Sequence, residues 1–297
     1  MIRVCGVADL QGCVDIAFVQ NNLPERNSAY CPKTRDGIEA DFTYLIEDAN
    51  SILLGCFDGD VLVGVMGCFV NLENGWADCS GPFFVEGWDE GLALELFAFA
   101  RAQLVHARRF NFYFDGRNAG LHGLMDALDA RRNDNEYVLM LKRADYIPQK
   151  IKHAVVAYND GFEDAVLRLK NETWAETYLT DGDLVASVGK TRDIFCALDE
   201  RGAFVGLGIL KRHTNPSHIT AEFFAVAEHA RGRGYGWALL NAVVATAFDK
   251  YEAQTVDLVV DKLNDHARDL YFSCGFTLEI ENASYYIPVK PQTTKNP

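Results

Sequence analysis

Ala221-Glu-Phe-Phe-Ala-Val-Ala-Glu-His-Ala-Arg-Gly-Arg-Gly-Tyr-Gly236 decides how the rest of the chain is read. Its apolar alternation ends at Val226, a basic glycine-rich loop follows, and Trp237 to Phe248 then shows apolar residues at helical spacing. A strand entering a helix through such a loop makes an anion site. The first N–H groups of the helix converge on one point, and the helix dipole favours negative charge there. Gly232, Gly234 and Gly236 bring no Cβ to hold a phosphate away, and Arg231 and Arg233 add charge-assisted hydrogen bonds.

Two familiar phosphate motifs fit poorly. A dinucleotide fingerprint needs G-x-G-x-x-G, whereas the glycines here are spaced G-x-G-x-G and Leu239 stands in the third position. Gly189-Lys190-Thr191 ends like a P-loop, but Leu184 occupies the place of the required upstream glycine. What is present is Arg231-x-x-Gly234-x-Gly236. Downstream lies Asn264-x-x-Ala267-x-x-x-Tyr271-x-x-x-Gly275-Phe276. The first resembles the acetyl-CoA loop of the GNAT superfamily of N-acetyltransferases, and the second resembles that superfamily's late helix and following strand. The resemblance covers about residues 150 to 290. It implies an α/β (α+β) fold, a mixed and mostly antiparallel sheet flanked by helices.

Composition sets the broad class. The 297 residues are 49% hydrophobic and 24% charged, as in an ordinary soluble globular protein, and allow two domains. No apolar run is long enough to span a membrane and no signal-peptide core follows Met1, so a cytoplasmic location is expected. The eight cysteines lack a C-x-x-C pair or other zinc spacing, and no metal is expected. A net charge of −14 argues against nucleic acid. Residues 1–145 carry 12 Lys+Arg against 22 Asp+Glu, and residues 146–297 carry 16 against 20. Such a surface is soluble, and it also attracts a cationic, amine-bearing substrate.

The two halves repeat each other. Ser51 to Gly67, with Asp58-Gly59 at a turn, answers Asp193 to Gly208, with Glu200 to Gly202 at a turn. Pro82-Phe-Phe-Val85 answers Phe223-Phe-Ala-Val226, and Asn118 precedes a helical run as Asn264 does. A tandem duplication is therefore expected, with domains at 1–147 and 148–297 joined near Pro148. The first copy lacks the chemistry. Glu86 to Ala93 puts acids where the second copy has arginines, and Met125 stands where the second has Tyr271. The first domain is accordingly structural or substrate-shaping. Tandem members with one degenerate copy are known in the superfamily.

The resemblance assigns roles residue by residue. Acetyl-CoA is the expected co-substrate, held by Ala225, Val226, Arg231, Gly232, Arg233, Gly234, Tyr235, Gly236, Trp237 and Asn264. An alkylamine acceptor, with a pKa near ~10.4, is protonated at neutral pH and needs a base. Glu222 is the candidate, and strict strand alternation puts it on the same face as Val226. His218 is the reserve base. Tyr271 matches the superfamily's tyrosine that protonates the leaving thiolate, and the Val226 N–H meets the developing oxyanion. Helices at 160–170 and 173–179 flank the acceptor, with Trp174 and Tyr178 as substrate-binding candidates beside Glu176, Asp181 and Asp183. Trp174 and Tyr178 fit equally well as core residues on one helix face. Cys274 reads as a packed thiol rather than an acyl carrier.

These readings lead to an N-acetyltransferase acting by direct attack on a small amine or a peptide amine. Two alternatives stay open: a non-catalytic acyl-CoA-binding or sensing protein, and an aminoacyl transferase of the peptidoglycan type. The intact loop and the acidic balance favour a coenzyme A donor over a charged RNA.

Overall fold

In the computed structural model, which describes residues 1–174, 179–213 and 215–289, the chain divides into two compact units. The division does not fall at the sequence joint. Unit 1 is Met1–Glu136 together with the segment from Ile280 onward, and unit 2 is Tyr137–Glu279. The expected limits of 1–147 and 148–297 therefore shift, and each unit takes a strand from the other side of the joint. Hydrophobic complementarity explains why. Ala283, Tyr285 and Ile287 are buried with Phe110, Phe112 and Phe114 in the core of unit 1. Leu139 and Leu141 are buried with Leu210, Ile219 and Val256 in the core of unit 2.

Unit 1 contains β1 (Ile2–Val4), α1 (Leu10–Asn21), α2 (Arg35–Glu47), β2 (Ile52–Asp58), β3 (Val61–Asn71) and β4 (Trp76–Phe84). It continues with α3 (Glu90–Gln103), β5 (Arg109–Asp115), α4 (Ala119–Ala127) and the short β6 (Arg131–Arg132). Unit 2 contains β7 (Glu136–Lys142), β8 (Ala154–Ala157), α5 (Glu163–Thr173), α6 (Asp181–Ser187), β9 (Arg192–Leu198) and β10 (Phe204–Arg212). It is completed by β11 (His218–Val226), α7 (Tyr235–Ala245), β12 (Thr255–Asp261) and α8 (Asp265–Ser273), and β13 (Thr277–Pro288) follows.

The strand orders match: β1-β2-β3-β4-β5-β13 in unit 1, and β7-β12-β11-β10-β9-β8 in unit 2. Among the pairs with a described register within each unit, all are antiparallel except β4–β5 and β11–β12. Those parallel pairs share a further property. The β11–β12 register runs only from His218↔Thr255 to Thr220↔Asp257, although β11 continues to Val226. Likewise β4–β5 pairing ends at Cys79↔Phe112, although β4 continues to Phe84. The strands therefore splay along each of these parallel seams, and the C-terminal part of β4 or β11 lines a gap.

Local sequence sets the elements around the gap. The β9–β10 hairpin turns at Gly202, whose φ of 80° suits a residue without Cβ. Helix α7 is apolar almost all round, with Ala238, Leu239, Leu240, Val243 and Val244 buried. Each large apolar side chain there contributes roughly 1.5–3 kcal/mol. In unit 1, Ala93, Leu96, Phe97 and Ala100 bury α3 as the apolar run 92–100 predicts. On the acceptor side the helices differ from expectation: α5 ends at Thr173, α6 begins at Asp181, and most of the helix expected at 173–179 lies outside the described residues. No described helix is long and apolar enough to cross a membrane.

Candidate active site

The chain crosses from β11 to α7 through Ala227 to Gly234, and this loop opens the helix in an unusual way. Gly234 is the N-cap with φ 90°, and no side chain caps the helix. Gly232 is also left-handed, at φ 73°, and a Cβ built there would meet nothing within 4 Å. The first turn of a helix has N–H groups with no intrahelical acceptor, and here no side chain among the described residues takes up that work. The loop thus offers a cradle of backbone donors with the positive end of the dipole behind it. Arg231 crosses the loop, donating from Nε to the Val226 carbonyl at 3.0 Å.

A cavity of about 740 Å³ lies in front of these donors. Its wall includes Val226, Arg231, Gly234, Trp237, Asn264 and Tyr271. Ala225, Gly232, Tyr235 and Gly236 also line it. The cavity therefore gathers every expected coenzyme residue except Arg233. Asn264 caps α8 as well, its side chain accepting from the Ala267 N–H at 3.1 Å. The Tyr235 ring packs on His153 at 4.3 Å between centroids, which fixes the loop from beneath.

Backbone geometry adds a donor within the splay. The Ala227 N–H bonds to the Val205 carbonyl of the neighbouring hairpin at 2.9 Å. Successive N–H groups on a strand point to opposite sides, so the Val226 N–H points away from β10, toward the gap where β12 has left the sheet. That is where an oxyanion donor belongs. Tyr271 reaches the same cavity from α8, its ring edge-on to Phe224 and tilted against Phe276. Burial pushes its hydroxyl pKa up to about 12, with the nearby Cys274 adding to the shift. The hydroxyl stays protonated at neutral pH and can donate. Burial also raises the Cys274 thiol, whose sulfur receives a contact from Asn241 Nδ2 at 3.5 Å. A protonated, packed thiol is a poor nucleophile.

Glu222 departs from the expected position. The β10–β11 register shifts from Ile209↔Phe223 to Leu210↔Ala221, which leaves Glu222 as the extra residue of a β-bulge. Ala221 packs with the α7 side of the sheet, Phe224 and Val226 do so after the bulge, and Phe223 and Ala225 face the α5 side. Glu222 shares that second face, opposite Val226, because the bulge inverts the alternation. Its carboxylate is 5% exposed and takes two hydrogen bonds from Arg192, at 2.6 and 2.9 Å, with Lys211 at 3.3 Å. It does not line the 740 Å³ cavity.

The remaining candidates divide. Trp174 follows α5 and packs against Phe223 at 4.8 Å, on the Glu222 face. Tyr178 and Glu176 lie outside the described residues. Asp181 is held by Lys170 at 2.8 Å and Asn171 at 2.9 Å, and Asp183 by Thr180, so both acids serve the start of α6. His218, the reserve base, is tied to Asp257 and Thr255 away from the cavity. Arg192 was missed by the sequence reading. The signal was a charged residue in step with the buried Ile194 and Cys196 on one strand face.

Against known proteins, residues 157–276 match the model of the Acetyltransferase (GNAT) family. Over the whole length, the chain superposes on a tandem GNAT protein from the clavulanic acid biosynthesis pathway with a TM-score of 0.71 at 15% identity, covering 98% of this chain and 99% of that one. The fold is a tandem GNAT fold. A GCN5-related N-acetyltransferase from Sphaerobacter thermophilus gives a TM-score of 0.78 at 15% identity, with 98% and 96% covered. A GNAT-family acetyltransferase from Colwellia psychrerythraea gives 0.58 at 14%, with 97% and 99% covered. No curated protein matches in sequence. The GNAT match falls on unit 2, the unit that carries the open helix start and Tyr271. In unit 1 the corresponding seam is filled by side chains instead.

Proposed function

We propose that this protein is an N-acetyltransferase that takes acetyl from acetyl-CoA and passes it to a primary amine in unit 2. The observation that carries the reading is the uncapped start of α7, which opens on the same cavity as Tyr271. Acetyl-CoA supplies an activated acyl group as a thioester. The loop N–H groups, Arg231 and Arg233 neutralise the pyrophosphate, and Asn264 lines the path beside α8. The Val226 N–H stabilises negative charge on the carbonyl oxygen, and the Tyr271 hydroxyl gives its proton to the departing sulfur.

The base is on the other face. Glu222, with Trp174 nearby on that face, belongs to the acceptor side, and it takes the amine proton through water. Pairing with Arg192 and Lys211 fixes it in place. The same pairing favours a second reading, a coenzyme-binding module without turnover, because a carboxylate clamped by two cations has little affinity for a proton.

Thiol release from acetyl-CoA, measured against a panel of amines with Tyr271→Phe and Glu222→Gln alongside, tests both. Turnover is expected with at least one amine, falling about 10²- to 10⁴-fold in each variant, the usual worth of an acid or base. Tight coenzyme binding with no turnover on any amine selects the binding module. Absence of coenzyme binding sinks both.

A further inference from the structure

A second cavity in unit 2, about 590 Å³, lies at the opposite end of β11, near its first residue His218. Its wall includes Lys190, Thr191, Arg212, His213, His218 and Tyr251. From His218 to Val226 the strand covers roughly 25 Å at its usual rise per residue, so this cavity is separate from the acyl-CoA groove.

Its charge is unbalanced. The guanidinium of Arg212 lies over the Tyr251 ring, 5.0 Å from the centroid. Nε and Nη2 are both buried and have no hydrogen-bond acceptor among the described residues. These two nitrogens form the edge of the guanidinium that grips two oxygens of one oxyanion. The nearby carboxylates are committed elsewhere: Asp257 to His218 and Thr220, and Asp193 to Tyr251 and Lys250. Lys190 is exposed at the rim and makes no ion pair among the described residues. His213 meets Thr220 through Nε2 at 2.8 Å, and its Nδ1 makes no hydrogen bond among the described residues. The pattern is a cationic fork with its ring face covered, a second cation at the mouth and an imidazole wall. Buried charge of this kind normally has a partner.

We propose that this cavity binds a phosphoryl group, gripped by Arg212 and Lys190. The inference is independent of the acetyltransferase reading, because it uses neither the α7 loop nor Tyr271. The test titrates the full chain with inorganic phosphate and, separately, with glycerol 3-phosphate. The imidazole NMR signals of His213 and His218 serve as reporters, since both line this cavity. Saturable shifts of these signals are expected with at least one probe. Comparable affinity for the two probes identifies a free anion as the ligand, and tighter binding of the ester identifies the head group of a larger molecule. Arg212→Gln is expected to weaken binding about ten- to a hundredfold, the worth of charge-assisted hydrogen bonds, while acetyl-CoA binding is unchanged. Lys190→Ala, at an exposed position, should weaken it by a smaller factor. Wild-type affinity in both variants, or no saturable shift with either probe, overturns the proposal.

Discussion

The two helix starts that follow β4 and β11 occupy equivalent places in their units and have opposite chemistry. At α3 the N-cap is Asp89, whose carboxylate accepts from the Leu92 N–H at 2.9 Å. At α7 the N-cap is left-handed Gly234, and no side chain caps the turn. In unit 1 the seam beside the helix is also packed. Trp88 meets Phe84 edge-on at 5.9 Å, and a Cβ on Gly120, at the start of α4, would lie 2.3 Å from the Trp88 ring. The cavity left there is about 270 Å³, against about 740 Å³ in unit 2. Met125 is fully buried where Tyr271 presents a hydroxyl. One scaffold thus keeps an open cavity or a packed seam according to whether the helix start is satisfied from within. The acidic cap and the tryptophan settle it for unit 1.

The strand bulges sharpen the contrast. In unit 1 the register slips between Val65↔Phe83 and Gly67↔Ser80, around Gly81-Pro82, with no charged residue. In unit 2 the bulge carries Glu222 and its partner Arg192. Glu222→Ala leaves a buried guanidinium without its bidentate partner, and is expected to cost about 3–5 kcal/mol of unfolding free energy. Chemical denaturation measures it, and a cost below about 1 kcal/mol would mean that the pair is as weak as an exposed one. Next in size is Gly234→Asp, which gives α7 the residue type that closes α3. A carboxylate in the cradle should lower acetyl-CoA affinity about a hundredfold or more, from a lost anion site and added repulsion. Calorimetric titration with wild-type affinity would break the comparison between the two helix starts.

Smaller effects belong to unit 1. Trp88→Ala removes a ring that is 38% exposed, so the loss should be about 2 kcal/mol, less than for a fully buried aromatic. No acetyl-CoA binding should appear in unit 1, because Glu86 and Asp89 remain; new binding there would show that packing alone had closed the site. Asp89→Ala should cost about 1 kcal/mol, the usual value of an N-cap, read from the thermal midpoint.

Much of this was legible in the sequence. The hairpins, the repeat, the Asn118 and Asn264 caps and the glycine-rich loop that opens α7 all follow from local rules of turn, cap and alternation, and those rules act within a few residues. What was not legible depends on partners far along the chain. Alternation assumes an uninterrupted register, and the extra residue at Glu222 is defined only against Leu210 and Ile209 of the neighbouring strand. The pairing of Arg192 with Glu222 joins residues thirty apart through three adjacent strands. The strand exchange was equally hidden. Residues 137–142 and 280–288 are both ordinary strand sequences, and nothing local says which core each completes.

That exchange orders events during synthesis. Unit 2 is one uninterrupted stretch, Tyr137–Glu279, whereas unit 1 waits for Ala283, Tyr285 and Ile287 to fill its core. A growing chain emerges from its N-terminus, so the half made first is the half that cannot be finished until all of unit 2 and the strand after it have been translated. The catalytic candidate can close on its own contiguous segment while the older half still lacks its last strand.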